Sequence, residues 1–356
     1  MNRRWICNDV WMDILPCFDH AQLGLKLAFL SPRFNALVDK HFDGKRELTI
    51  WREIRIRKEK NGPELKLSVW IDDHFVKFPL PDRPLPSKIH FKHLRIGYID
   101  HRVIAFLRSN HQIFDKRGTD FELWLPSSRT ADGQTIWDVL VHEIWPFFSA
   151  KIDHLGLNKG DHLDSLLRLI SPTILTDLNQ LYSIYSCLLP DSIGDLDEPN
   201  ATISAGQALS KWLHIPLKDG QPKRLRCGYY TKQNSDWINN FKEKFLRATI
   251  SSVNYLIHFT VRVPSMPIVP FELENEWTKE KLTLAELGNC WIMQRYKIGE
   301  TTAVQQRTDE NYGKSNNVSI RLIAINCIGP LSPSPSAEVE EAGQSITKVP
   351  STDKDE

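Results

Sequence analysis

Residues of the kinds that bind metals or catalyse reactions occur in this sequence, but their spacing completes no site. His90 and His93 stand three residues apart without the cysteine or acidic partners that a zinc site requires. His142-Glu143 lacks the second histidine of an HExxH metalloprotease motif. Asp72-Asp73 lies beside a predicted turn, where solvated loop carboxylates are the simpler interpretation. We therefore predict no catalytic residue, no metal site and no cofactor.

Phosphate-binding and nucleophile motifs are also missing from the sequence. It contains no GxxxxGK[ST] or GxGxxG loop and no GxSxG elbow. Basic residues cluster from Arg52 to Lys60 and again at Lys223, Arg224 and Arg226. The chain carries 45 basic and 44 acidic residues, a net charge of +1, so solvated strand faces explain these clusters better than a polyanion site. We expect no nucleic-acid partner.

The N-terminus and the cysteines indicate an intracellular protein. The two arginines at positions 3 and 4 precede no apolar run that would serve as a signal peptide, and no segment approaches the roughly 20 apolar residues of a membrane helix. The six cysteines are scattered and form no CxxC pair, so we interpret them as reduced thiols. We predict a cytoplasmic or nuclear location and no membrane partner.

The first 46 residues contain the patterns of three short helices. Val10, Ile14 and Phe18 recur at a spacing of four residues and form an apolar stripe. Asp19, followed by Gln22, predicts the start of a second helix, and Ser31-Pro32 predicts the start of a third.

The second of these helices is apolar on two sides. Leu23, Leu27 and Leu30 form one stripe, whereas Leu25 and Phe29 form another. One stripe can pack on the neighbouring helices, but the other needs a cover of its own. A partner protein is one candidate cover, and the strand hairpin that follows at residues 48–78 is the alternative.

Residues 47–87 alternate in polarity as a two-stranded hairpin and end in a proline-rich connector that begins at Phe78. From residue 88 to 330, strand candidates separated by amphipathic helices recur about 30 residues apart, with one longer step. They begin near His93, Phe121, Ile152, Leu181, Leu225 and Tyr255.

This period predicts an α/β fold in the form of an irregular, leucine-rich-repeat-like β/α solenoid. Alternating strands from residue 268 predict an antiparallel β cap, and residues 331–356 have the composition of a disordered tail. The alternative is a non-repetitive α/β domain in which the regular spacing is coincidental.

The N-terminal helices resemble an F-box. The resemblance rests on Asp9-Val-Trp-Met-Asp-Ile-Leu15, Leu23-Gly-Leu-Lys-Leu-Ala-Phe-Leu-Ser31, Arg33-Phe34 and Leu37-Val38. Cys7-Asn8 stands where F-boxes usually begin with Leu-Pro. With Gly206 to His214 and Ile268 to Asn275, the chain is similar to a large family of F-box-domain proteins in plant-parasitic nematodes.

This resemblance implies a three-helix F-box, a solenoid and a function without chemistry. Such proteins are substrate-recognition adaptors of SCF-type cullin ubiquitin ligases: the F-box docks the Skp adaptor and, through it, the cullin, and the C-terminal domain recruits a protein substrate of unknown identity. By this resemblance the apolar interface with the Skp adaptor is formed by Val10, Ile14, Leu15, Leu23, Leu27, Leu30 and Phe34, several of which must also serve the internal core.

The strand-lined face of a solenoid is its usual contact surface, and a one-residue slip of register inverts which side chains it presents. On the expected register, the predicted substrate contacts are Arg95, Glu122, Trp124, Asp153 and Arg226. The alternative function is a non-enzymatic solenoid scaffold that binds proteins outside any ubiquitin ligase.

Overall fold

The computed structural model describes most of the chain up to residue 299, and every structural statement below concerns that part. The described residues are 6–43, 48–58, 65–71, 74–81, 84–85, 89–114, 118–125, 136–191, 203–230, 236–249, 253–261, 268–287 and 290–299. The expected strand at residues 318–325 and the predicted tail lie outside them. Within these ranges, no helix combines the length and the apolar character that crossing a membrane requires.

The structure is a mixed α/β fold. Its helices are α1 (Asn8–Ile14), α2 (His20–Gln22), α3 (Ala28–Leu30), α4 (Pro32–Asp43), α5 (His101–Asn110), α6 (Ile136–Val139), α7 (Trp145–Phe148), α8 (Gly160–Leu169), α9 (Ile174–Asp177), α10 (Ala205–Leu213) and α11 (Trp237–Arg247). Its strands are β1 (Leu48–Lys58), β2 (Leu65–Ile71), β3 (His74–Pro79), β4 (Ile89–Ile96), β5 (Thr119–Leu123), β6 (Ile152–Leu157), β7 (Ser183–Ser186), β8 (Lys223–Tyr230), β9 (Tyr255–Val261), β10 (Phe271–Asn275), β11 (Glu280–Leu287) and β12 (Cys290–Lys297).

All twelve strands belong to one sheet, in the order β10-β11-β12-β9-β8-β7-β6-β5-β4-β1-β2-β3. From β4 to β9 the strands follow chain order and each neighbouring pair is parallel. The strands β2 and β3 at one end and β10 to β12 at the other are antiparallel.

The predicted α/β class and the antiparallel strands after residue 268 are confirmed, but the leucine-rich-repeat-like solenoid is not. The antiparallel hairpins continue the same hydrogen-bonded ladder as the parallel strands, so the molecule has one continuous mixed sheet instead of a stack of repeats.

Strand β3, whose last residues coincide with the start of the predicted connector, was not expected. The sheet also crosses the predicted boundary near residue 87, since β1 pairs with β4; the domain division stays a prediction.

Three helical segments precede the sheet, as the sequence predicts, although their F-box identity stays a prediction. Asp19 caps α2 by accepting a hydrogen bond from the backbone N–H of Gln22 at 2.7 Å. A π-helical turn at Leu23–Leu27 then joins α2 to α3. In this wider turn Leu23, Gly24 and Leu25 are all buried, so the two separate stripes expected of a regular helix are not what forms.

The core follows from strand alternation. Successive strand side chains point to opposite faces, and one face carries an apolar row across seven neighbouring strands. The row is fully or almost fully buried and consists of Ile54, Leu94, Phe121, Leu155, Ile184, Leu225 and Ile257. These residues belong to the same hydrophobic core as the apolar sides of α5, α8, α10 and α11.

A buried amide fastens the proline-rich connector to this core. Asn110 accepts a hydrogen bond from the backbone N–H of Leu85 at 2.7 Å and donates one to the carbonyl of Phe106 at 2.8 Å. Both bonds lie away from solvent, so the connector is held by a specific contact to α5.

We predict that Asn110→Ala lowers the free energy of unfolding by about 1–3 kcal/mol, because the Leu85 N–H loses its buried acceptor. Urea denaturation followed by circular dichroism measures the change. The control is Ser109→Ala, which removes an exposed hydrogen bond to the carbonyl of Ala105 and should change stability by less than about 0.5 kcal/mol. Equal effects of the two substitutions would contradict this role of Asn110.

Candidate functional site

The face of the sheet opposite the apolar row is polar across the strands β1 and β4 to β8. We call it the polar face. Strand register aligns Glu53, His93, Asp120, His154, Ser183 and Arg224 in a first row, and Arg55, Arg95, Glu122, Gly156, Tyr185 and Arg226 in a second row. The same alternation that buries the core therefore gathers these residues, although their positions in the chain are far apart.

Arginine and glutamate side chains pair with each other over β1, β4 and β5. Glu53 contacts Arg55 at 2.6 Å and Arg95 at 2.8 Å, and Arg95 contacts Glu122 at 2.7 Å. Burial favours a raised pKa for Glu122, but the charge of Arg95 and the hydrogen bonds to the carboxylate outweigh it and lower that pKa. This part of the polar face is thus neutralised internally.

Trp124 lies at the end of this network. Its indole N–H donates a hydrogen bond to Glu122 at 3.0 Å, and the Arg95 guanidinium stands 4.6 Å from its ring centroid. The side chain is 38% exposed. Three of the predicted substrate contacts, Arg95, Glu122 and Trp124, therefore form one cluster.

A histidine on β4 and two aspartates at the starts of β5 and β6 lie beside this network. His93 contacts Asp120 at 2.5 Å. Burial disfavours the charged form of each, but their mutual attraction prevails: the pKa of His93 is raised, and that of Asp120 is lowered to about 2. The two side chains therefore pair with each other inside the face, and this contact favours the charged form of both.

Asp153 is the second aspartate, and it is almost completely buried, at 8% exposure. It lies at the register shift between β5 and β6, against Gly118, whose φ of 143° no other residue type adopts easily. Burial and the neighbouring Asp120 charge raise the pKa of Asp153 to about 7. Because its carboxyl is enclosed, the structure does not present Asp153 to a partner as the sequence predicted.

His154 and Ser183 form a pair that resembles part of a catalytic site. His154 Nδ1 lies 2.8 Å from the Ser183 hydroxyl, and burial lowers the pKa of the imidazole. Within the described ranges, His154 makes no hydrogen bond to a carboxylate that would orient it as a base. No group of three potential metal ligands occurs among the same residues.

The other end of the polar face is cationic. Arg226 stacks over Tyr185, with the guanidinium 5.5 Å from the ring centroid. Arg224, two residues before it on β8, is exposed. In the part of the chain that the structure describes, neither arginine has a carboxylate partner. The predicted contact Arg226 is therefore on the same face as Arg95 and Glu122 but not in their cluster.

The residues predicted to contact the Skp adaptor divide by exposure. Val10 is 45% and Leu30 67% exposed, whereas Ile14, Leu27 and Phe34 are half-buried. Leu15 and Leu23 are fully buried in the core, so their side chains are not available to a partner. Phe34 packs edge-on against Trp11, with ring centroids 4.8 Å apart, which adds to the cohesion of the helices.

Sequence reasoning missed Glu53, Asp120, His154 and Ser183 as members of the polar face, and it treated His93 as the start of a strand and an incomplete zinc ligand, without a role on this face. The alternation of Asp120 and Glu122 around Phe121 is a signal that was available. The sequence holds no comparable signal for which residues face each other across strands, because that pairing depends on the register of strands separated by helices.

We predict that Asp153→Asn stabilises the protein at alkaline pH. In the folded state the Asp153 carboxyl stays protonated up to about pH 7. In the unfolded state, with a pKa of 3.8, it loses the proton at a much lower pH. Stability therefore declines as pH rises between these values. The amide still donates to Asp120 without this penalty, so we expect a gain on the order of 1–2 kcal/mol at pH 8 and little change near pH 4.

Thermal unfolding at pH 4, 6 and 8 tests this expectation. The matched control is Asp164→Asn, an exposed aspartate on α8, whose difference from the wild type should not vary in the same way. A constant difference between Asp153→Asn and the wild type across this range would refute the assignment.

Comparison with known proteins does not identify the chain. Protein-family models, curated proteins and solved structures were each searched, and none matches it. The F-box resemblance therefore still rests on the N-terminal residues quoted above, and the polar face must be interpreted from its own geometry.

Proposed function

We propose that the chain is an F-box substrate-recognition adaptor of an SCF-type cullin ubiquitin ligase, acting in the cytoplasm or nucleus. In this proposal the N-terminal helices dock the Skp adaptor, and the sheet domain recruits a protein substrate through the polar face. The observation that carries the proposal is the exposure of Val10 and Leu30, two large apolar side chains on helices whose other apolar residues are largely committed to the core.

The start of the helical unit is arranged so that apolar side chains remain outside it. Arg33, in the first turn of α4, donates hydrogen bonds to the Asn8 side chain at 2.8 and 3.0 Å and to the Ile6 carbonyl at 2.5 Å. These bonds tie the start of α1 to the segment that follows Leu30. Ile6, Val10 and Leu30 are all exposed around this junction. Full burial of such side chains against a partner contributes about 1.5–3 kcal/mol each.

The missing Leu-Pro pair has an explanation in the same contacts. Asn8 stands at the proline position, and its side chain is used internally to hold Arg33. The exposed Ile6, next to Cys7, supplies an apolar side chain near the leucine position. We infer that the first contact with the Skp adaptor is made by Ile6 and Val10.

The mechanism in this proposal is positional. The helical unit contacts β1 through α2, and the Lys26 ammonium lies 5.8 Å from the ring centroid of Phe78 on β3. A helical unit fixed to the sheet would hold a bound substrate at a defined distance from the ligase. This raises the effective concentration of a substrate lysine near the ubiquitin-charged enzyme, and the chain needs no nucleophile of its own.

One observation favours the alternative, a scaffold outside any ligase. Leu25, from the stripe that needed a cover, is buried in the same core as Phe78 of β3. At Leu25 the stripe is therefore covered by the chain's own core, as expected of a helical cap. Val10 and Leu30 remain uncovered by the described residues, and this is why we prefer the adaptor.

We predict that the full-length protein binds a Skp adaptor with a Kd of about 1 μM or tighter, a free energy near −8 kcal/mol. The double variant Val10→Asp, Leu30→Asp should lose at least about tenfold in affinity, because charges would enter an apolar interface. Isothermal titration calorimetry measures both. These exposed positions are suitable, whereas a charge at the buried Leu23 would unfold the helices.

The matched control is Val269→Asp, which introduces the same charge at an exposed apolar residue before β10 and should leave the affinity unchanged. Circular dichroism establishes that each variant is folded. The adaptor proposal fails, and the scaffold is favoured, if the folded wild type does not bind the Skp adaptor. It also fails if the double variant and Val269→Asp have the same affinity for the adaptor.

A further inference from the structure

We infer that the cationic end of the polar face binds an extended peptide segment rich in glutamate and aspartate. We call this end the arginine strip and define it as Tyr185, Arg224 and Arg226. The inference rests on the proposed function, since it gives the chemical class of the substrate segment. It is carried by the contrast between the two ends of the polar face.

The first step is the charge balance of the face. Glu53 and Glu122 are each ion-paired with arginine, and Asp120 is ion-paired with His93. Asp153 is 8% exposed, its carboxyl lies against Gly118, and within the described ranges it forms no ion pair with Arg224 or Arg226. The nearest carboxylate row on β5 is three strands from β8, a distance of about 14 Å at 4.8 Å per strand. The two arginines of the strip therefore carry positive charge that the described residues of the face do not neutralise.

The second step is the spacing of the arginines. Arg224 and Arg226 are two residues apart on one strand, with the buried Leu225 between them, so both point out of the same face. Their Cα atoms are about 6.6 Å apart at 3.3 Å per residue. An extended peptide places its alternate side chains at the same interval. Carboxylates at alternate positions of a peptide lying along β8 would thus meet both guanidinium groups.

The third step is that the strip is partly organised before a ligand arrives. The Tyr185 ring under Arg226 restrains the guanidinium plane, which leaves its outer edge for a carboxylate. Ser183, beside Arg224 in the register, is hydrogen-bonded to His154. Less side-chain freedom is lost on binding when such groups are already held.

A peptide fits this surface better than a nucleic acid does. A phosphate backbone that extended along the polar face beyond the strip would meet the internally neutralised region over β1, β4 and β5, which offers it no further unpaired cations. The net charge of the whole chain is only +1, which provides no general attraction to a polyanion. A short acidic segment needs only the two unneutralised arginines.

Fluorescence anisotropy with the full-length protein tests the inference. The probe is a labelled peptide of about ten residues in which glutamate alternates with alanine, long enough to span β8. A peptide of the same composition, with its glutamates grouped in one block, tests the spacing. Single-stranded RNA of similar length is the competing polyanion.

The variant Arg224→Gln, Arg226→Gln removes both charges and keeps side-chain length. Its matched control is Arg168→Gln on the exposed side of α8. We expect the alternating peptide to bind the wild type, the double variant to bind it at least about tenfold more weakly, and the control to bind within about twofold of the wild type. The block peptide should bind more weakly than the alternating one.

Three results would overturn the inference: no peptide binding by the folded wild type, an equal loss in the α8 control, or RNA bound through the two arginines more tightly than the peptide. Binding to the Skp adaptor is measured on the same double variant and should be unchanged. Loss of peptide binding alone would leave the proposed function standing. If the wild type binds the peptide but not the Skp adaptor, the adaptor role is refuted and the peptide-binding role of the arginine strip stands.

Discussion

The alternation of side chains along hydrogen-bonded strands is the constraint on which the rest of the structure depends. It places Leu94, Phe121 and Leu155 in one apolar row under the helices and sends Arg95, Glu122 and His154 to the opposite face. A shift of one residue in any of these strands would bury charges and expose the core. The cost of that exchange fixes the register, and the fixed register in turn determines which charged groups meet on the polar face.

Charge pairing on the polar face is uneven: one end is internally neutralised and the other end is cationic. Over β1, β4 and β5, arginines and carboxylates satisfy each other, and Asp120 is satisfied by His93. Over β8, Arg224 and Arg226 have no such partners among the described residues. An internally paired region contributes shape and rigidity, whereas an unpaired one contributes attraction. If the proposed function holds, recruitment would be binding by a small charged region held on an internally paired support.

Much of the local structure could be predicted from the sequence, whereas long-range pairing could not. The strands containing His93, Phe121 and Tyr255 were predicted from their apolar alternation, and the α2 cap was predicted from Asp19 and Gln22. The single mixed sheet was not, because a local pattern does not show that β1 pairs with β4 or that β9 pairs with β12. Which of the interface residues also serve the core could not be predicted: these are Leu15 and Leu23, and Asp153, predicted as a contact, is enclosed as well. Each of these depends on neighbours supplied by distant segments.

The chain order of β4 to β9 has a consequence for how the protein is made. Each parallel strand pairs with the strand that precedes it in the chain, so the loop that must close for each pairing is short compared with the whole protein. Parallel pairing is intrinsically slow, and sequential connectivity limits this cost because no pairing between β4 and β9 has to wait for a distant segment. The central sheet can therefore assemble strand by strand during synthesis, each new strand covering the edge of the one before it.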